Sequence, residues 1–355
     1  MLASRRVVWF NRHGMTMTPP LAPLGARYFK FICGANLRDT DRVETLATVF
    51  GLAGASLFDV AAEPQVVAAA WKGIEKAKAL LADAPDWLRQ AYGDRPLAPI
   101  DPQVMVSITL SGDRHTQIAV VEQDICTRCD LCTSVCPPGA IVNGDVETRI
   151  CTGCMLCVPV CPPICIEMAP RETDPDLDAC WEAGARALEI HTGAADPAEV
   201  AAYRPLATNW QSRGGVLAYS IDGKQLGFPR AIALAQQVGG PGVIIQADGK
   251  PISGTVGDKS TIPALRLARA MIRAGVPGLI QPAGGTNDRT GPLAERHGIG
   301  IHGVGMGSFA RRVAKPLEEG DLSDKAWLTA VTQALRLVES IQPGVRPENI
   351  TLSRV

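Results

Sequence analysis

GVIIQAD (242–248), TIPALRLARAMIRAG (261–275) and GLIQPAG (278–284) follow one another in a single region of the chain. The first and third segments are short apolar runs, which is typical of strands that are buried on both faces. The second repeats apolar residues at i, i+3 and i+4 and ends in glycine, which predicts an amphipathic helix. A strand, a helix and a further strand of this kind indicate a parallel sheet with helices packed against it.

The same alternation recurs along the chain and predicts eight strands, at 29–35, 56–62, 104–110, 187–193, 215–221, 242–248, 278–284 and 300–306. Successive strands begin 22 to 48 residues apart, except for the third and fourth, which begin 83 residues apart. An insertion after the third strand accounts for that excess. Eight βα units form a (β/α)8 barrel of the TIM type. An open, doubly wound sheet with the same insertion is the alternative architecture.

The predicted insertion contains two cysteine runs, CTRCDLCTSVCP (126–137) and CTGCMLCVPVCP (151–162). Each run has the spacing C-x2-C-x2-C-x3-C-P, and together they hold eight of the eleven cysteines. Three cysteines spaced by two residues allow one turn of chain to supply three thiolates to a [4Fe–4S] cluster. Zinc sites more often use separated Cys-x2-Cys pairs. The spacing therefore predicts two [4Fe–4S] clusters.

Residues 122–170 resemble two-cluster bacterial ferredoxins, in which the fourth cysteine of each run ligates the other cluster. The resemblance implies that one cluster is held by Cys126, Cys129, Cys132 and Cys161, and the other by Cys151, Cys154, Cys157 and Cys136. We expect the remaining cysteines, Cys33, Cys165 and Cys180, to be buried thiols.

These patterns predict four regions. Residues 1–27 are a flexible N-terminal tail, residues 28–112 and 173–318 form the TIM-like barrel, residues 113–172 are a ferredoxin-like two-cluster insert, and residues 319–355 are a C-terminal helix and tail. Because the insert follows the carboxyl end of a strand, we expect the clusters to lie over the barrel mouth, where the active sites of such barrels form.

Polar residues are concentrated at the predicted strand ends: Asn36, Asp59, Glu189, His191, Asp222, Gln246, Asp248, Gln281, Thr286 and Asn287. His191 is the candidate catalytic residue, because an unperturbed imidazole exchanges protons near neutral pH. A hydrogen-bonded histidine at a strand end is the alternative.

Two glycine-rich segments, AGGTND (283–288) and GVGMGSFARR (303–312), end the seventh and eighth predicted strands. Barrel enzymes often bind phosphate at this position, where backbone N–H groups approach the anion. The candidate cradle consists of Gly284, Gly285, Thr286, Gly305, Gly307 and Ser308, and its ligand would be a flavin or another phosphate-bearing molecule. Tight turns without a ligand are the alternative.

The 35 basic and 36 acidic residues nearly balance, so there is no electrostatic signal for nucleic-acid binding. No apolar run is long enough to span a membrane. Eight cysteines at metal-ligand spacing indicate a reducing compartment. We therefore expect a cytoplasmic protein.

YFKFICGAN, FDVAAEPQVVAAA, EIHTG, ADGKPISG, AGGTN and GSFAR occur in this order around the cysteine runs. This combination resembles the light-dependent-period (LdpA) family of cyanobacterial iron–sulfur proteins over residues 28–340. The resemblance implies a two-cluster redox protein that reports the cellular redox state to the circadian clock and associates with clock proteins and histidine kinases.

Two functions remain open from the sequence. The first is a redox sensor whose clusters exchange electrons with a donor or acceptor such as ferredoxin or quinone-linked proteins. The second is an iron–sulfur oxidoreductase in which the clusters pass electrons to a flavin or substrate at the barrel mouth. The sequence does not establish whether the protein is an enzyme, because both functions use the same cysteines.

Overall fold

The computed structural model describes residues 9–10, 16–17, 27–97, 100–110, 117–170, 175–249 and 258–342. The strands are β1 (Trp9–Phe10), β2 (Thr16–Met17), β3 (Tyr28–Ile32), β4 (Leu57–Ala61), β5 (Gln103–Thr109), β6 (Gln117–Val121), β7 (Ile141–Val142), β8 (Asp145–Val146), β9 (Ile166–Pro170), β10 (Ala187–His191), β11 (Val216–Asp222), β12 (Ile244–Asp248), β13 (Leu279–Ala283) and β14 (Gly303–Met306).

The helices are α1 (Thr40–Leu52), α2 (Pro64–Asp83), α3 (Asp86–Tyr92), α4 (Leu131–Val135), α5 (Leu177–Glu182), α6 (Pro197–Ala202), α7 (Arg204–Ser212), α8 (Gly223–Leu226), α9 (Phe228–Val238), α10 (Asp258–Arg273), α11 (Thr290–Arg296), α12 (Ser308–Arg311), α13 (Lys315–Glu318) and α14 (Asp324–Ile341). No helix in the described ranges is long and apolar enough to cross a membrane. Most of the predicted tail at 1–27, the chain after residue 342 and residues 250–257 lie outside the described residues.

Eight strands form one parallel sheet, in the order β13-β12-β11-β10-β5-β4-β3-β14. The order follows the chain from β3 to β13 and returns with β14 to the first strand. The backbone N–H of His302, just before β14, donates to the carbonyl of Ile280 in β13 (2.9 Å), so the last two strands also meet. The predicted (β/α)8 barrel is confirmed. The open, doubly wound alternative is wrong, because such a sheet reverses its strand order at a switch point.

The barrel has separate apolar layers outside and inside the sheet. Outside, Phe29 and Phe31 of β3 face α1, and the Phe31 ring stacks on the Phe50 ring at 4.0 Å between centroids. Inside, the amino-terminal half of the barrel is filled by Tyr28, Leu57, Met105, Ala187, Val216, Ala218 and Ile244. Side chains alternate between the two sides along each strand. The next inward positions toward the strand carboxyl ends are polar, and they form the floor of the mouth.

Residues 117–170, called the cysteine segment below, connect the third and fourth barrel strands, β5 and β10. Strands β6 and β9 pair antiparallel, as do β7 and β8. The segment has its own small core, in which cysteines pack with Ala119, Ile141 and Ile166. Ile150 packs against both this core and the barrel core, so the two share one apolar side chain.

Two hydrogen bonds attach the cysteine segment to the start of the barrel. The N–H of Arg38 donates to the carbonyl of Arg149 (2.9 Å). The guanidinium of Arg42 in α1 donates to the carbonyl of Pro138 (3.2 Å) and also pairs with Glu318. Since Arg38 and Arg42 follow the carboxyl end of β3, the segment lies at the mouth end of the barrel.

Candidate metal centre and barrel mouth

The eight cysteines of the two runs lie around two separate cavities. The first cysteine cavity is lined by Cys126, Cys129, Cys132 and Cys161. The second cysteine cavity is lined by Cys136, Cys151, Cys154 and Cys157. Each cavity thus takes three cysteines from one run and the last cysteine from the other. This is the grouping that the ferredoxin resemblance implies.

The surroundings of the cavities suit thiolate ligands of an iron–sulfur cluster. The N–H of Ala140 donates to Cys136 Sγ (3.2 Å), and the N–H of Cys165 donates to Cys161 Sγ (3.4 Å). Such bonds to sulfur are among the factors that tune cluster potentials. No disulfide joins any of the cysteines in the described part of the chain. The residues present therefore fit two four-cysteine clusters.

The other three cysteines are buried, as the sequence predicts. Cys33 follows β3 and Cys180 lies in α5, both away from the two cavities. Cys165 does line the first cysteine cavity, and its Sγ lies 3.3 Å from that of Cys161. It is thus a ninth thiol beside one group of four.

The carboxyl ends of the barrel strands surround a polar cleft, called the barrel-mouth cleft below. Its lining comes from the loops after β3, β13 and β14, from inward-facing strand residues and from the cysteine segment. The polar lining residues are Asn36, Asp59, Thr152, His191, Gln246, Asp248, Thr286, Ser308 and Arg311. All ten strand-end polar residues that the sequence indicates are buried.

Lys30 of β3 lies at the centre of the polar layer beneath this cleft and is fully buried. Its Nζ pairs with Glu189 of β10, lies 3.0 Å from Asp59 Oδ2 of β4, and donates to Gln246 Oε1 (3.0 Å). Ser107 Oγ donates to Asp59 Oδ1 (2.5 Å). One ammonium thus joins two carboxylates and an amide across the barrel.

The charges in this layer shift one another's pKa values. Burial alone lowers the pKa of Lys30, but the neighbouring Asp59 and Glu189 carboxylates outweigh burial and raise it. Burial raises the pKa of Asp59, and the charge of Glu189 adds to that shift. Burial also opposes ionisation of Glu189, yet Lys30 and His191 outweigh it and lower the pKa of Glu189. Glu189 is therefore the more firmly ionised of the two carboxylates.

Asp59, Glu189 and His191 lie close enough together to present three ligand atoms to a metal ion. However, the Lys30 ammonium already contacts both carboxylates. His191 Nε2 in turn lies 2.9 Å from Glu189 Oε1. This arrangement is a buried ion-pair network, and a metal ion would have to displace Lys30. His191 also lines the barrel-mouth cleft, so the structure is compatible with both interpretations of this residue.

Five of the six residues in the predicted phosphate cradle line the barrel-mouth cleft: Gly284, Gly285, Thr286, Gly307 and Ser308. Gly305 does not; it lies deeper, where a Cβ would approach Gln281 Nε2 to 2.9 Å. A Cβ on Gly285 (φ +83°) would lie 2.4 Å from the carbonyl oxygen of Ser260, so packing against α10 already requires glycine there. Helix α12, which follows Gly307, has only four residues.

The barrel-mouth cleft and the second cysteine cavity share one residue, Thr152, which follows Cys151 in the second run. On the barrel side of the cleft, Arg311 donates to the carbonyl of Cys33 (2.6 Å) and to Ser308 Oγ (3.1 Å). The second cysteine cavity therefore adjoins the mouth, whereas none of the residues lining the first cavity line the cleft.

Sequence reasoning missed Lys30, Thr152 and Arg311. A usable signal for Lys30 was present, because YFKFI, LFDVA and ALEIH each place one charged residue in the middle of an apolar strand. Their signs are complementary, which suggests an ion pair inside the barrel. No comparable signal marks Thr152 or Arg311, since their positions depend on how the cysteine segment and α12 pack.

The sequence is similar to known proteins over most of its length. The family model of the Light dependent period A C-terminal domain matches residues 180–341. The protein Light dependent period A of Synechococcus elongatus is 33% identical over 367 residues, which cover 93% of this chain and 96% of that protein. The chain belongs to the Light dependent period A family. The C-terminal model of this family spans the region from α5 to α14 and does not include the cysteine runs.

Solved structures of barrel enzymes are less similar to this chain than the family relative is. The α subunit of tryptophan synthase from Legionella pneumophila is 12% identical with a TM-score of 0.42, covering 91% of this chain and 96% of that one. The YdjI aldolase of Escherichia coli K12 is 9% identical with a TM-score of 0.43, covering 91% and 93%. Neither likeness is close enough to bear on function.

Proposed function

We propose that this member of the Light dependent period A family is a redox protein with two [4Fe–4S] clusters, which senses the cellular redox state and relays it to circadian-clock or signalling partners. The observation that supports the proposal is the grouping of eight cysteines into two cavities, each with three cysteines of one run and the last of the other. In this proposal, residues 113–172 are a ferredoxin-like insert in the barrel.

When bound, each cluster would accept or release one electron. The charge on the second group of cysteines would then change next to Thr152, which lines both the second cysteine cavity and the barrel-mouth cleft. That position would couple the redox state to the barrel mouth. A cytoplasmic location would keep the thiols reduced. The proposed partners are clock proteins and histidine kinases, with ferredoxin or quinone-linked proteins as electron donors or acceptors.

Anaerobic purification followed by iron and sulfide analysis and EPR of the dithionite-reduced protein tests this proposal. We expect about eight iron and about eight sulfide atoms per chain. Cys126→Ser and Cys151→Ser should each remove the EPR signal of one cluster. Cys180→Ser, which changes a cysteine outside both cavities, is the matched control and should retain both signals. A protein that binds only zinc, or no metal, would contradict the proposal.

A second candidate function is favoured by the position of Thr152, which lines both the second cysteine cavity and the barrel-mouth cleft. In this alternative, the protein is an oxidoreductase whose second cluster passes electrons to a flavin or phosphate-bearing substrate in the cleft. Gly284, Gly285, Thr286, Gly307 and Ser308 would contact that ligand, and His191 would exchange protons with it.

The two candidates differ in whether a small molecule is retained at the barrel mouth. Mass spectrometry of molecules released from the anaerobically purified protein should identify a ligand if the protein is an oxidoreductase. Gly307→Leu, which fills the cleft, should abolish that binding while both EPR signals remain. A sensor should release no ligand, and its redox-dependent binding to partners should survive Gly307→Leu.

A further inference from the structure

Large apolar side chains are exposed mainly in the cysteine segment. Of nine such residues in the described part of the chain, six lie between residues 120 and 164. Five of them form what we call the outer patch: Val120, Ile125, Leu131, Val142 and Ile164. The cysteine segment contains only about a sixth of the chain, so its surface is unusually apolar. Exposed apolar patches mark interaction sites in soluble proteins.

The outer patch surrounds the first cysteine cavity. Ile125 precedes Cys126, Leu131 lies between Asp130 and Cys132, and Ile164 lies between Pro163 and Cys165, all of which line that cavity. Val120 precedes Val121, which also lines it. The N–H of Asn143, next to Val142, donates to Asp130 Oδ1 (2.9 Å), which brings Val142 to the same loop.

Ile164 carries two unfavourable features at once. Its side chain is 78% exposed, and its backbone has φ +55°, in the left-handed region. A β-branched residue is a genuine outlier there, whereas glycine or asparagine is tolerated. Neither feature contributes to packing within the chain, which is consistent with a contact to another molecule.

Residues outside the outer patch attach the cysteine segment to the barrel. Pro138, Arg149 and Ile150 make those contacts, and Thr152 joins the second cysteine cavity to the mouth. None of these four residues lines the first cysteine cavity, and Cys129 of its lining is exposed.

The charge of the cysteine segment determines which kind of partner fits. The segment contains six acidic residues and two basic ones: Glu122, Asp124, Asp130, Asp145, Glu147 and Glu167, with Arg128 and Arg149. The chain as a whole has a net charge of only −1. An acidic surface with apolar side chains at its centre complements a basic rim around an apolar contact area.

We propose that the outer patch is the docking surface for a basic electron-transfer protein, which exchanges electrons with the cluster held by Cys126, Cys129, Cys132 and Cys161. This proposal rests on the proposed function, because it requires the clusters. In this proposal, the cluster in the first cysteine cavity exchanges electrons with the partner, and the cluster in the second cysteine cavity lies next to the barrel mouth. A single electron passes between the cluster and the partner's cofactor, and no bond is made or broken.

Cytochrome c, a basic haem protein, is the probe for this surface. Stopped-flow mixing of the dithionite-free reduced protein with ferric cytochrome c gives the second-order rate constant of electron transfer. Replacing two apolar contacts, in the double variant Ile164→Asn and Leu131→Ser, should lower this rate constant about tenfold. Ferricyanide, a small oxidant that needs no protein docking surface, should react with the variant within about twofold of the native rate.

Three controls accompany the kinetics. Leu322→Ser alters another exposed leucine, outside the cysteine segment, and should leave both rates unchanged. Asp124→Asn should weaken the decrease in the cytochrome c rate that added salt causes. Ile164→Asn alone should unfold at no lower temperature than the native protein, because asparagine tolerates φ +55°.

Equal slowing with both oxidants would overturn the proposal, because the substitutions would then act on the cluster itself. Unchanged rates with both oxidants would also overturn it. A variant that converts a native dimer into a monomer in sedimentation, with an unchanged cytochrome c rate, would assign the patch to a second copy of this chain instead. Absence of iron from the native protein would refute the proposed function itself. That result differs from the kinetic outcomes above, which overturn only the docking surface.

Discussion

Lys30 shows how one side chain can determine the interior of this barrel. TIM barrels are usually filled by branched apolar side chains. Here a fully buried ammonium contacts Asp59, Glu189 and Gln246 instead. Removing charges from water is costly, and the cost is offset only when every partner is present. The network should therefore tolerate the loss of all its charges better than the loss of one.

Lys30→Met should destabilise the protein by about 3–5 kcal/mol, because it leaves two carboxylates buried without their cation. Urea or guanidinium unfolding, compared with the native protein, measures the change. The triple variant Lys30→Met, Asp59→Asn and Glu189→Gln should recover part of this loss. A triple variant less stable than Lys30→Met would contradict the interpretation.

The exposed pair Lys78–Glu75 provides the control for that experiment, since its Nζ–Oε1 distance of 2.9 Å resembles those in the network. Exposed pairs on a helix contribute at most about 0.5 kcal/mol. Lys78→Met should therefore change the free energy of unfolding by less than about 0.5 kcal/mol. A similar loss for both lysines would mean that burial is not the cause.

The pH dependence of stability follows from the raised pKa of Lys30. Burial lowers that pKa, but Asp59 and Glu189 outweigh burial, so the folded value exceeds the unfolded one. The stability that Lys30 contributes is then fully present below its unfolded pKa of about 10.4 and is lost as pH rises through the folded pKa. The stability difference between the native protein and Lys30→Met should be constant near neutral pH and should shrink above about pH 10.4. A stability difference that already shrinks as the pH rises toward 8 would contradict this assignment.

The sequence indicates most of the site residues but not their roles. Asp59, Glu189 and Gln246 were identifiable because they interrupt apolar strands near their carboxyl ends. Lys30 interrupts β3 in the same way, but its contacts were not identifiable, because Glu189 and Gln246 lie on strands far along the chain. The sequence predicts Gly305 as part of the phosphate cradle, whereas in β14 it lies beneath the barrel-mouth cleft, against Gln281 and Gln246.

Strand β14 lacks side chains at the positions where the polar layer needs space. Gly305 pairs in register with Lys30 on β3, and Gln281 and Gln246 occupy the room that a side chain would take. Gln281 donates to Gln246 (2.7 Å), so the two amides form one chain with Lys30. A glycine-rich eighth strand thus follows from the packing inside the barrel, without requiring a ligand.

Gly305→Ala should destabilise the protein by about 1–3 kcal/mol, because its Cβ would overpack the barrel interior. Gly307→Ala is the matched control, since its Cβ would meet nothing nearer than 3.5 Å. Thermal or chemical unfolding of the two variants tests the difference. Equal losses would argue against the packing explanation.

The eight strands themselves were predictable because each is a short apolar run, and all but the third are followed by a helical pattern. The exact ends of the strands were less predictable. The structure begins β14 at Gly303, whereas the sequence pattern begins this strand at residue 300. The backbone of His302 is used to join β13 instead. This hydrogen bond between the last two strands forms only when the barrel closes, so the residues around His302 do not predict it.

At the scale of the whole molecule, the insertion point was predictable and the contacts of the insert were not. The 83-residue interval between the third and fourth predicted strands reveals the insertion. Parallel strands end at one face, which predicts the mouth as its location. Which of the two cysteine groups adjoins the mouth depends on the packing of Ile150 and Thr152, for which the sequence has no pattern.

Arg42 should control how firmly the cysteine segment is held. Its guanidinium bonds to the carbonyl of Pro138 and to Glu318, so Arg42→Ala removes a charged hydrogen bond between segment and barrel. Hydrogen exchange of residues 138–150 should become about tenfold faster. Arg95→Ala, which removes the exposed pair with Glu339, should leave that exchange unchanged. Uniformly faster exchange in both variants would indicate a global effect.

Lys30 also has a consequence for how the chain is made. Its partner Asp59 leaves the ribosome early, but its second carboxylate partner, Glu189, lies 159 residues after Lys30 itself. Both cysteine runs lie between them and emerge first. During synthesis, the thiols that would hold the proposed clusters are therefore exposed before the barrel interior can be completed. Under the proposed function, the position of the insert would allow metal loading to precede barrel closure.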